Sequence, residues 1–129
     1  MNYYFSKTIH GDFNKVIEKA IEELKNEGFG ILTEIDISET LKKKLDVDFK
    51  KYKILGACNP SFAYKALQEE DKVGLMLPCN VIVQEQSPGS VEVAAIDPVE
   101  SMQAIKNPKL ESIASEVRNK LQKVIERIH

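Results

Sequence analysis

The 129-residue chain contains no tryptophan, two cysteines, two histidines, six glycines and five prolines. Two cysteines exclude a disulfide-dense secreted scaffold. So few glycines and prolines, with no biased tract, exclude a collagenous or low-complexity chain. No apolar run approaches the roughly 20 residues that a membrane span needs. The first nine residues are short, mixed and tyrosine-rich, without the apolar core of a secretion leader. There is little charge of either sign in excess: eighteen Lys and Arg stand against twenty Asp and Glu, a net of −2. That balance supplies no basic field for nucleic acid. The expectation is a cytoplasmic protein that binds neither nucleic acid nor membrane.

What is present is enough for a core. Hydrophobic residues make up 43% of the chain and charged residues 29%, which a disordered chain would not show. With no linker and no internal repeat, residues 1–129 read as a single domain.

Residues 2–9 alternate as a strand, and Gly11-Asp12 supplies a break and a helix cap. Phe13, Val16, Ile17, Ala20, Ile21 and Leu24 then recur at helical spacing up to Gly28, a helix-stopping glycine. Phe29–Ile37 reads as a strand, and 38–45 as a short helix capped by Asp36 or Ser38. Residues 51–57 read as a third strand, and Asn59-Pro60 opens a third helix. Val73–Leu77 is a continuous apolar run, taken as a short strand broken by Pro78. Residues 79–86 and 91–96 form a hairpin around Ser87-Pro-Gly-Ser90. Asp97-Pro98 with Glu100 starts a short helix that runs towards Ile105. Asn107-Pro108 starts the longest helix, with Leu110, Ile113, Ala114, Val117, Leu121, Val124, Ile125 and Ile128 on its apolar stripe. The order β-α-β-α-β-α-β-β-β-α with a hairpin predicts a two-layer α+β sandwich, mainly antiparallel, with helices on one face.

The cysteines are the sharpest chemical feature. Cys58 ends a strand just before the third helix, where backbone N–H groups and the helix dipole would lower its pKa. Cys79 follows Pro78 at a break between two apolar segments. Brought together, they would make a redox pair or a site for a soft metal such as Cu(I) or Zn. Burial as small hydrophobes is the commoner fate of such thiols. Asn59 reads first as a cap, because Asn59-Pro60, Asp97-Pro98 and Asn107-Pro108 repeat one arrangement. Its alternative role, with Gly56, is a ligand-binding corner at a helix start. Asn80 has no capping role and is a further ligand-binding candidate.

His10 sits in a strand-to-helix turn without metal-ligand neighbours in sequence. Lys42, Lys43 and Lys44, with Lys50, Lys51 and Lys53, are diluted by Asp46 and Asp48. No P-loop, G-x-S-x-G or H-E-x-x-H motif occurs. No catalytic residue is therefore named, and enzymatic activity is not the favoured reading.

Tyr52–Pro60 (Tyr-Lys-Ile-Leu-Gly-Ala-Cys-Asn-Pro), Val73–Val83 (Val-Gly-Leu-Met-Leu-Pro-Cys-Asn-Val-Ile-Val) and Asp97-Pro98 together resemble the domain-of-unknown-function 302 family. The resemblance covers nearly the whole chain. It implies a domain of the TATA-binding-protein-like class, with a curved antiparallel sheet backed by a long C-terminal helix, and it implies a homodimer. It carries over no catalytic residue. The matching motif residues Gly56, Cys58, Asn59, Pro60, Pro78, Cys79 and Asn80 gather around the two thiols.

The leading expectation is a binding or thiol/soft-metal-handling domain, with Cys58 and Cys79 as metal ligands and Gly56, Asn59 and Asn80 beside them. Two alternatives stand next to it. One is an apolar ligand module between sheet and helices, lined by Met76, Met102 and aromatics. The other is a dimeric interaction domain without catalysis.

Overall fold

The computed structural model describes residues 2–129. Its elements are β1 (Tyr4–His10), α1 (Phe13–Asn26), β2 (Gly30–Asp36), α2 (Ile37–Leu45), β3 (Tyr52–Cys58), α3 (Pro60–Glu69), a 3₁₀ helix (Asp71–Met76), β4 (Cys79–Ser87), β5 (Ser90–Ile96), α4 (Pro98–Ser101) and α5 (Pro108–Arg127). Five strands form one sheet in the order β1-β5-β4-β3-β2, and every neighbouring pair is antiparallel. The helices lie on one side of it, so the α+β sandwich with a long C-terminal helix holds.

Alternation along each strand divides the sheet into two faces. The inner face contributes Leu55, Val81, Val83, Val91 and Val93, all fully buried. Against them pack Val16, Ala20 and Leu24 of α1, and Leu121, Val124 and Ile125 of α5. Truncating one of these large side chains, such as Leu121, costs about 2–5 kcal/mol. The outer face carries no helix. Its middle row runs Ser6–Ala94–Ile82–Ile54–Ile35 across the five strands, and the next row runs Thr8–Glu92–Gln84–Tyr52.

Local capping explains most boundaries. Asp12 accepts from the Lys15 N–H at 3.1 Å, and Asp36, through Oδ1, from the Glu39 N–H at 3.0 Å. Gly28 ends α1 with φ +87°, a left-handed conformation that glycine adopts freely.

Two expected elements differ. Val73–Leu77 is not a strand: the chain forms the 3₁₀ helix here, burying Val73 completely while Leu75 stays 84% exposed. Three-residue spacing lets Val73 join Ala66 and Leu110 in a small second core. The position beside β3 is already taken by β4, which starts only after Pro78. The helix after Pro98 is also shorter than expected, because Met102–Ile105 closes as turns rather than extending α4.

Candidate functional site

The site grows from the adjoining ends of β3 and β4. Ala57 lies opposite Cys79, and Gly56 opposite Asn80. Ala57 and Cys79 belong to the inner core cluster. In β4 the next residue turns to the other face, so Asn80 is exposed on the sheet's outer side. Cys79-Asn80 is thus split by the pleat, and the two candidates do not share a site.

Gly56 is explained by packing. A Cβ there would collide with the Thr33 hydroxyl and come within 2.8 Å of Pro78 Cγ. Asn59 does not cap α3 with its side chain. Its Nδ2 instead donates to the Glu27 carbonyl at 3.3 Å, at the end of α1. Gly28 lies beneath that amide, where an added Cβ would sit 3.1 Å from Nδ2. The asparagine therefore closes the helix that precedes it in the fold. Asn107 does both jobs: Oδ1 accepts from the Lys109 N–H, and Nδ2 donates to the Glu69 carbonyl at the end of α3.

Both cysteines are free thiols. They line one narrow cleft, of about 30 Å³, between the strand ends, α3 and α5. Met102, Phe29, Phe62 and Leu77 help to wall it. The space matches a water-sized occupant. It is far below the roughly 300 Å³ at which small-molecule pockets begin, so this cleft is too small for an apolar small-molecule ligand. Met76 is absent from its wall and lies partly exposed on the 3₁₀ helix.

Burial raises the pKa of Cys58. It raises that of Cys79 to about 11, and the neighbouring Cys58 adds to the shift. The shift at Cys58 is thus opposite in direction to the lowering expected from the start of α3. Pro60 also removes one of the N–H groups that would have faced the sulfur. Thiols held neutral are poor nucleophiles and sluggish in exchange.

Among the described residues no group of three or more His, Cys, Asp and Glu stands ready for a metal. Zinc, which takes four such donors in structural sites, therefore lacks its ligand set. Three sulfur-bearing residues, Cys58, Cys79 and Met102, are among those that line the cleft. Sequence reasoning placed Met102 with an apolar ligand and overlooked it as a donor. A methionine after a short capped helix was the only signal available.

The remaining charged candidates are structural. Lys42 pairs with Asp46 and Asp48, and Lys53 with Glu34. His10 is exposed at the end of β1. Asp97 is 2% exposed, accepts from the Val99 N–H and is bridged by Arg118 Nε at 3.2 Å. The same guanidinium stacks over Phe5, with its carbon 5.8 Å from the ring centre. Among the described residues no helix is long and apolar enough to cross a membrane.

Comparison with known proteins agrees with this architecture. The chain matches the family described as "Domain of unknown function DUF302" over residues 5–128. No curated protein matches it. A solved structure titled "Crystal structure of uncharacterized conserved protein DUF302 from Bacillus stearothermophilus" superposes with a TM-score of 0.91 at 30% identity, covering 100% of both chains. Strand order, long terminal helix and full-length match converge, and the chain belongs to the DUF302 family.

Proposed function

We propose that this is a binding domain for a single soft cation, Cu(I), held by Cys58 and Cys79 with the Met102 thioether as third donor. The observation that carries the reading is that Cys58, Cys79 and Met102 all line one water-sized, apolar-walled cleft. Soft thiolate and thioether ligands select Cu(I), and hard cations find no oxygen cage here. The dimensions favour an ion over a metabolite.

Loading the site displaces thiol protons, so affinity rises with pH up to the raised pKa of Cys79. The cation also offsets the charge of one thiolate, which lowers the cost of ionising it within apolar walls. The same desolvation that makes these thiols weak nucleophiles argues against a thiol-based enzyme.

The test is anaerobic competition for Cu(I) against a coloured chelator. One equivalent per chain is expected. Cys58→Ser and Cys79→Ser abolish tight binding, and Met102→Leu weakens it by about tenfold while preserving the fold. Binding that survives Cys79→Ser, or that never competes with the chelator, overturns the reading.

A further inference from the structure

The outer face of the sheet, opposite the sulfur cleft, holds a second and larger concavity of about 420 Å³. That size falls within the range of small-molecule sites. Its floor is Ile82 and Ala94 of the apolar middle row. Tyr3 and Tyr4 stand on one side, with ring centres 5.1 Å apart and planes at 73°, the edge-to-face arrangement of two walls of a cage. Tyr52 also lines the hollow; burial raises its pKa first, and Glu92 and Tyr3 add to the rise. The three rings and the carboxylate therefore share one neighbourhood, and Tyr52 stays a neutral phenol.

Charge on this face is sparse. Within the row Thr8–Glu92–Gln84–Tyr52 and the apolar row beside it, Glu92 is the only charged residue. It is half-buried and oriented by Gln84, whose Nε2 donates to Oε1 at 2.8 Å. Among the described residues no ion pair involves Glu92, although Lys53 and Lys42 find acidic partners elsewhere. A single carboxylate beside three electron-rich ring faces, over an apolar floor, is complementary to one kind of ligand. Ring quadrupoles and the carboxylate both attract a cation, and the floor receives its alkyl groups.

We infer that this hollow is a site for a small alkylated ammonium ion, recognised by Tyr3, Tyr4, Tyr52 and Glu92. An anionic ligand would meet Glu92 unpaired. A metal ion would find one carboxylate and amides, too few donors for a cage. The site lies on the other side of the sheet from the sulfur cleft and does not depend on it.

The absence of tryptophan makes the test direct, because Tyr3, Tyr4 and Tyr52 are three of the four tyrosines that give the protein its fluorescence. Tetramethylammonium chloride is titrated at constant ionic strength beside tert-butanol, a neutral molecule of similar bulk. The expected result is a saturable tyrosine response to the ammonium, with tert-butanol at least tenfold weaker. Glu92→Gln and Tyr52→Leu each weaken ammonium binding by about tenfold, with unchanged circular dichroism and melting midpoint. Equal responses to both probes reduce the hollow to an apolar dimple and overturn the inference, as does no response to either. Sedimentation as a dimer whose association shields these tyrosines from the ammonium also overturns it, making the face a seat for a second copy.

Discussion

A thiol whose ionisation is opposed by burial alkylates slowly until the pH nears its own pKa. Cys58 is half-buried and Cys79 buried with the larger shift, so their reactivities separate. With iodoacetamide and peptide mass readout, Cys58 labels first. Cys79 lags by at least tenfold at neutral pH and catches up only towards pH 11. Equal rates at neutral pH would contradict the burial-driven order. Gly56 offers a packing test at the same scale. Gly56→Ala forces a methyl against the Thr33 hydroxyl and Pro78, costing about 1–3 kcal/mol by urea denaturation. Adding Thr33→Ala removes the nearer obstacle and recovers part of that loss, a coupling that a double-mutant cycle measures. Cys58 and Cys79 were legible as candidates from their places beside a helix start and a proline. That they line one cleft with Met102 was not, because it depends on strand register and on α5 closing the cleft.

Helix starts were the most readable elements, since a cap and the residues it serves lie within a few positions of one another. Asp12, Asp36, Asp97 and Asn107 all cap as their sequence context implied. Asn59 has the same asparagine-proline context but serves the end of α1, 32 residues away, a partner no local pattern specifies. Asn59→Ala should therefore cost about 1 kcal/mol and speed hydrogen exchange at the C-terminal turn of α1. Protection lost only at the first turn of α3 would show that it acts as an ordinary N-cap. Val73–Leu77 misled for another reason: an apolar run states that residues avoid water, and not the period at which they do so. Here Val73 is wholly buried while Leu75, two residues on, points outward, whereas a strand would put both on one face.

For the molecule as a whole, the long terminal helix is tied down at its middle and at its C-terminal end. Arg118 reaches Asp97 at the β5–α4 corner, while Lys120 and Arg127 reach Glu27 at the end of α1. Removing Asp97 takes away both the α4 cap and the partner of a half-exposed guanidinium. Asp97→Ala should cost about 2 kcal/mol and lower the melting midpoint by several degrees. A neutral effect would mean that solvent replaces the carboxylate. Stability also acquires an alkaline limb. Cys79 in the folded state keeps its proton to about pH 11, whereas the unfolded thiol loses it near 8.5. Below that lower value both states are protonated and the thiol contributes no pH dependence. Between the two, the unfolded state binds fewer protons and stability falls, by roughly 3 kcal/mol at most. Replacing Cys79 with Ala should flatten this limb in urea titrations across that interval.

The strand order also sets a timetable. β2, β3 and β4 are neighbours in sequence and in the sheet, so this meander can pair as soon as each strand emerges from the ribosome. β1 pairs only with β5, joining Tyr4 to Ile96, so the first strand made is among the last to be seated. Until residues 90–96 have been synthesised, Phe5 and Ile9 have no sheet partner. Burying them waits on the insertion of β5 between β4 and β1, which closes the sheet in one late, long-range step.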